Sequence, residues 1–211
     1  LGDVISNLLI FNGNKVTKEY YVNDHGGQIM NFVKSVYYRI LEINEKKSFP
    51  IADDLYPGEY VVNIANKIIK TKKIKKFSNF NEIYKKLLSE SIKHSMELIK
   101  NNLNLLGVHH DNFIYESDLI KNKIVQKVVK KLHKQKYIYS GKLKKPKGEL
   151  TDDWKERKQL LFKSTIFGDD VDRPLQKEDG SWTYFAGDVG YHFNKLSRKF
   201  NILVNILGAD H

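Results

Sequence analysis

Val16-Thr-Lys-Glu-Tyr-Tyr-Val22, Asn23-Asp-His-Gly-Gly-Gln28 and Ile29-Met-Asn-Phe-Val-Lys-Ser-Val-Tyr-Tyr-Arg-Ile-Leu41 form the stretch whose reading decides the fold. Residues 16–22 alternate and are rich in β-branched and aromatic types, which predicts a strand. Asn23 and Asp24 are turn formers, because their short side chains bond to the nearby backbone. From Gly26 to Leu41, Ile29, Phe32, Val33, Val36, Tyr37 and Ile40 recur at helical spacing and predict a helix with one apolar face. Residues 2–12 read as the end of a preceding helix, stopped by Gly13. Helix, strand, turn and helix make half of a doubly wound nucleotide-binding unit, which takes its ligands at the C-terminal ends of its strands. Asn23, Asp24 and Gln28 stand at such an end and are candidates for lining a nucleotide site. Turn formation and helix capping account for them equally well.

Downstream, residues 45–58 read as a connector with Pro50, Asp53, Asp54, Pro57 and Gly58. Helices are predicted over Glu59 to Lys70 and Phe80 to Leu106, the second with Ile92, Met96, Ile99 and Leu103 on one stripe and Gly107 as its stop. His109-His110-Asp111 is not read as a metal site: adjacent histidines on a regular element do not face one ion, and no third ligand stands nearby. It reads as a turn into a strand, Phe113 to Tyr115, after which Glu116-Ser117 caps a helix from Ile120 to His133. Short strands and turns follow around Gly141, Pro146 and Gly148. A hairpin over Arg173 to Phe185 turns at Asp179-Gly180. A helix over 187–199 and a buried strand from Ile202 to Leu207 complete the pattern. No internal repeat stands out.

The chain has 211 residues, 41% of them hydrophobic and 12% aromatic, enough for a sizeable core. It has no cysteine, which excludes disulfides, thiolate metal sites and cysteine nucleophiles. No apolar run approaches the length of a membrane span, and no basic-then-apolar leader opens the sequence. A cytoplasmic location is therefore expected. The net charge of +11 fits a polyanionic partner. Yet only four of the 36 basic residues are Arg, a bias toward Lys that drift on a solvated surface would also produce. Residues 121–148 are more specific, with eleven Lys and no acidic residue. On a helix, Lys123, Lys127, Lys130 and Lys134 line one side, where like charges repel unless something such as phosphate offsets them. Lys123, Lys127 and Lys130 are the candidates for RNA contact; a solvated helix face is the alternative.

Near the C-terminal end stand Phe162-Lys-Ser-Thr-Ile-Phe-Gly-Asp-Asp170, Ser181-Trp-Thr-Tyr-Phe-Ala-Gly-Asp188 and Leu207-Gly-Ala-Asp-His211. Tyr184 and Asp188, at i and i+4, share one helical face and can grip one small molecule. Together with Glu19 to Ile29, Tyr56-Pro-Gly-Glu-Tyr-Val61, Leu106-Gly-Val-His-His-Asp111 and Pro146-Lys-Gly-Glu149, in this order, the chain resembles the catalytic domain of a bacterial-type arginyl-tRNA synthetase, a class I aminoacyl-tRNA synthetase. The resemblance covers essentially the whole chain. A His-Ile-Gly-His-type motif and a Lys-Met-Ser-Lys-type loop, both family signatures, are not in the sequence. Leu1-Gly-Asp looks like the helix just after the first, and His211 falls before the second. The resemblance thus implies the middle of a catalytic domain, not expected to aminoacylate by itself.

The resemblance implies an α/β fold: a partial Rossmann-like nucleotide-binding fold with a mainly helical insertion. Residues 1–44 would be the first part of the catalytic domain, 45–150 the insertion and 151–211 the second part. It implies an arginine–tRNA ligase that activates L-arginine with ATP and transfers it to tRNA(Arg). ATP would bring Mg2+; no structural metal and no membrane are implied, and a monomer is expected. Such enzymes work by positioning and by stabilising phosphate charge, so no protein nucleophile is named. The residue matching Asp188 accepts the guanidinium, for which a carboxylate offers two oxygens to a planar fork. Tyr184 would pack beside the substrate, and Asp210 would contact it. Gly208 would let the backbone approach the adenosine, and His211 follows it. Asp188 as a helix cap and Tyr184 as a core aromatic are the structural alternatives. Gly168-Asp169-Asp170 reads as a tight turn rather than a magnesium cluster. The competing function is a non-catalytic RNA-binding module or synthetase-like paralogue. A class I synthetase for cysteine or a branched-chain residue is opposed by a carboxylate at 188, which an apolar pocket would leave unpaired.

Overall fold

The computed structural model describes residues 1–74, 76–77, 79–143 and 157–208. Its elements are α1 (Gly2–Phe11), β1 (Glu19–Val22), α2 (Gly27–Glu45), α3 (Glu59–Thr71), α4 (Phe80–Leu105), β2 (Asn112–Tyr115), α5 (Glu116–Lys121), α6 (Ile124–Lys134), β3 (Ile138–Gly141), β4 (Gln159–Phe162), a 3-10 turn (Ser164–Phe167), β5 (Arg173–Pro174) and α7 (Tyr184–Ser197). They form two compact units, Leu1–Tyr115 and Glu116–His211. No helix among the described residues is long and apolar enough to cross a membrane.

In the N-terminal unit, Phe32, Val33, Val36, Tyr37 and Ile40 bury one face of α2 against Val61, Ile64, Ala65 and Ile68 of α3 and Leu87 of α4. These α2 residues belong to the apolar stripe read from the sequence, and the opposite face carries the polar residues. Ser35 is fully buried without an unmet group: its hydroxyl donates to the Asn31 carbonyl at 2.7 Å and accepts the Tyr56 N–H at 2.9 Å. Arg39 bonds Glu42 and the Pro57 carbonyl, both at 2.7 Å, and lies over the Phe49 ring. These contacts tie the irregular connector of residues 46–58 to α2.

β1 and β2 pair in parallel, Glu19 opposite Asn112 and Val22 opposite Tyr115. The predicted strand over 16–22 shortens to four residues because its partner begins only at Asn112. Just before the pair, the Lys18 N–H donates to the Asp111 carboxylate at 2.7 Å, and the Asp111 N–H to the Lys18 carbonyl at 2.8 Å. The turn at 109–111 therefore registers the sheet. Gly107 leaves α4 at φ +70°, a conformation a side chain would strain.

In the C-terminal unit, β3, β4 and β5 form an antiparallel sheet in that order. Val125 and Val129 of α6, Ile138, Leu175 and Ala186 of α7 form its core. The predicted helix from Ile120 to His133 is interrupted: α5 ends at Lys121, Lys123 turns left-handed at φ 54°, and α6 starts at Ile124. One straight helix would point Leu119 and Val125, six residues apart, to different sides; the break lets both be buried. The hairpin is a two-residue strand, Arg173–Pro174, followed by a single bridge between Gln176 and Trp182. Gly180 turns it at φ +79°. α7 begins at Tyr184 rather than near 187.

The predicted buried strand from Ile202 to Leu207 does not form. The segment has no secondary structure, and Ile202 and Leu207 are 71% and 66% exposed. A strand requires a neighbour to satisfy its backbone, and among the described residues none pairs with it. Propensity alone carried that expectation. The Pro146-Lys-Gly-Glu149 block lies outside the described residues.

Candidate functional site

At the start of α7, Thr183 is the N-cap. Its hydroxyl accepts the Ala186 N–H at 3.2 Å and donates to the Pro174 carbonyl at 2.7 Å, holding the helix start against the end of β5. Asp188 therefore does not cap the helix. Tyr184 is the first helical residue and 56% exposed, so it is not a core aromatic. Both side chains lie on the outer face of α7, while Ala186 and Gly190 are buried. The Lys177 ammonium sits 5.6 Å from the centre of the Tyr184 ring. His192 continues the row one turn after Asp188. Burial first, then Lys195, pushes its pKa down, and the Asp188 carboxylate pulls it back up.

This arrangement offers a ring, an anionic acceptor and an imidazole along one helix face, a suitable grip for a small cationic group. Gly208 lies in the exposed segment after α7, away from any regular element. Asp210 and His211 lie outside the described residues. Gly168-Asp169-Asp170 is a turn: Gly168 closes the 3-10 turn at φ +99°, and Arg173 takes both carboxylates. The Arg173 guanidinium holds the Asp169 carboxyl well below the usual carboxylate range.

In the N-terminal unit, a cavity of about 280 Å³ opens beside the C-terminal end of β1. Asn23 and Gln28 both line it, brought together by the turn from β1 into α2; Asp24 is not part of the lining. Tyr21, Phe32, Tyr56 and Tyr60 supply aromatic walls, and Ser95, Met96 and Ile99 of α4 close the far side. Burial, then the neighbouring Tyr56, raises the Tyr60 pKa, so its hydroxyl is held neutral. Amides and a hydroxyl among aromatic walls suit a planar heterocycle with hydrogen-bonding edges. The sequence reading had not found Tyr56, Tyr60, Ser95 and Met96 as lining residues. Tyr56 and Tyr60 had a signal, since both stand in the Tyr-Pro-Gly block. Met96 was placed on an apolar helix stripe, which looks the same whether it faces a core or a cavity.

The Lys row is only partly helical. Lys127 and Lys130 are exposed on α6, opposite the buried Val125, Val128 and Val129. Lys123 is exposed at the N-cap, outside the helix.

No family model matches the chain. Similar proteins do. The arginine–tRNA ligase of Pelagibacter ubique (strain HTCC1062) is 59% identical over 212 residues, covering all of this chain and 37% of that protein. Those of Wolbachia pipientis wMel and Orientia tsutsugamushi (strain Boryong) are 47% and 45% identical, each covering the whole chain and 36% of the relative. The chain thus spans little more than a third of the length of these relatives. A solved structure described as an arginyl-tRNA synthetase, from Campylobacter jejuni, superposes with a TM-score of 0.82 at 29% identity, over all of this chain and 42% of that one. The arginyl-tRNA synthetase of Plasmodium falciparum shares the fold at TM-score 0.56 and 17% identity, over 92% of this chain and 30% of that one.

Proposed function

We propose that this chain, whose homologues along its whole length are arginine–tRNA ligases, is the middle of the catalytic domain of such a ligase. The observation that carries the reading is 59% identity to one such enzyme without a break in coverage. Residues 1–44 and 151–211 are assigned to the two parts of the catalytic domain, and 45–150 to the insertion. The substrates are L-arginine, ATP and tRNA(Arg), with Mg2+ arriving on the ATP phosphates, and the working enzyme is a cytoplasmic monomer.

Asp188 receives the arginine guanidinium through both carboxylate oxygens, Tyr184 packs along the side chain, and Asp210 adds a contact. Asn23 and Gln28, in the cavity beside β1, line the nucleotide site. The chemistry is attack of the arginine carboxylate on the α-phosphate of ATP, releasing pyrophosphate, then transfer of the arginyl group to the terminal ribose. The residues of this chain orient the reactants and need not form a covalent bond. Lys123, Lys127 and Lys130 hold tRNA phosphates without reading bases. Changing all three to Gln should flatten the slope of log affinity against log salt by about 2 to 3.

The deciding experiment is Asp188→Asn in a full-length ligase carrying this segment. Asn keeps the shape but lacks the charge and the second equivalent acceptor. Breaking a charge-assisted pair costs about 3–5 kcal/mol, or roughly a hundredfold or more in kcat/KM for arginine. The KM for ATP should stay near wild type. Arginine kinetics within about threefold of wild type in both kcat and KM would show that Asp188 does not bind the substrate.

A further inference from the structure

The 3-10 turn Ser164–Phe167 holds the ring of Phe167 outside the core, 65% exposed, although aromatic side chains of this size usually bury most of their surface. The ring is nevertheless fixed. It lies parallel to Phe162, 7° between planes and 5.9 Å between centres, and 5.5 Å from Tyr137. Phe162 belongs to β4, paired on both sides, and the Tyr137 carbonyl accepts the Lys163 N–H at 2.9 Å. The packing thus orders the ring and leaves it open.

Both signs of charge stand near it, lysines on the Tyr137 side and carboxylates in its own turn. Lys136 immediately precedes Tyr137 and Lys134 stands three positions before it, both exposed. The carboxylates of the Phe167 turn have hydrogen-bond partners within the chain. Asp169 takes Nε and Nη2 of Arg173 at 2.7 and 2.5 Å, and Asp170 takes Nη2 at 3.1 Å. Asp172 accepts from the Tyr139 hydroxyl and from Thr165. An ordered open π-face in contact with Tyr137, which the two lysines precede in sequence, matches a ligand that joins a flat ring to an anionic backbone.

We propose that Phe167 is a stacking platform for an unpaired RNA base whose flanking phosphates are held by Lys134 and Lys136. This rests on the RNA-binding reading above and adds the kind of nucleotide bound. The test uses the 211-residue chain, a single-stranded oligoribonucleotide of about ten nucleotides carrying 2-aminopurine, and a fully paired RNA duplex of the same length. Phe167→Ala should weaken single-strand binding about fivefold or more and abolish the quenching of 2-aminopurine. Duplex binding and its salt slope should not change. Phe167→Trp should keep both affinity and quenching, which separates loss of the platform from loss of folding. Lys134→Gln with Lys136→Gln should flatten the salt dependence on the single strand. The platform is overturned if Phe167→Ala binds the single strand like wild type, or if single strand and duplex weaken equally. If the wild-type chain binds neither RNA, the RNA reading fails and the platform with it.

Discussion

Thr183 accepts the backbone N–H of Ala186 at 3.2 Å, and this bond removes Asp188 from the start of α7 as a structural element. Thr183→Ala should therefore destabilise the chain by about 1 kcal/mol, the usual worth of an N-cap, and more if the bond to the Pro174 carbonyl is also missed. Asp188→Asn, which leaves this cap in place, should lower the melting temperature less than Thr183→Ala. Thermal melts of the two variants side by side check this; the reverse order of effects would return Asp188 to a structural role.

His192 carries a second expectation. Its folded pKa lies below the ordinary 6.5, with burial as the main cause. The neutral ring is therefore favoured on folding. Its contribution to stability is complete above the unfolded value and is lost as pH falls through the folded value. Since Asp188 is the group raising that pKa, Asp188→Asn should lower it further. NMR titration of the His192 ring measures this, and an upward shift would contradict the geometry.

The turn after β4 carries an acid-dependent share of the stability. Asp169 is paired with Arg173 by two bonds and titrates well below 3.8. Its stabilising contribution is present above the ordinary carboxylate value and disappears as pH falls toward the folded one. Asp169→Asn should make the melting temperature less dependent on pH between about 4 and 2. Melts of both proteins across that range give the comparison.

Two glycines three residues apart in α7 should respond oppositely. A Cβ at Gly187 would meet only Glu116 Oε1, at 3.6 Å, so Gly187→Ala should gain up to about 1 kcal/mol of helix propensity. A Cβ at Gly190 would come within 2.9 Å of Val125 Cγ2, with the Val125 backbone close behind at 3.5 Å. Gly190→Ala should cost about 1–3 kcal/mol, as overpacking does. Chemical denaturation of the pair measures both.

Much of this fold was legible because burial is one-sided. The apolar stripe of α2 could be read before any partner was known, since its period matches the helix. The break at Lys123 could not: Asn122 and Lys123 are not strong helix stops, and the interruption follows from Leu119 and Val125 both being buried. Residues 202–207 show the opposite failure, strong β-propensity with no strand beside it. At the site, spacing placed Tyr184 and Asp188 on one face, and topology placed Asn23 and Gln28 at a strand end. The aromatic walls at Tyr56 and Tyr60 and the back at Ser95 and Met96 depend on how three helices meet. No local pattern encodes that meeting.

The registering bond from Lys18 to Asp111 spans 93 positions of sequence, whereas α2, α3 and α4 pack largely on their neighbours along the chain. Contacts of low sequence separation form early, and distant ones wait for a long loop to close. During synthesis the helices can therefore assemble while β1 still lacks its partner. The parallel pair zips only once Asn112 to Tyr115 have emerged. Asn23, at the end of β1, is then among the last positions of its unit to be set, so the mouth of the aromatic cavity acquires its final shape only after its walls are built.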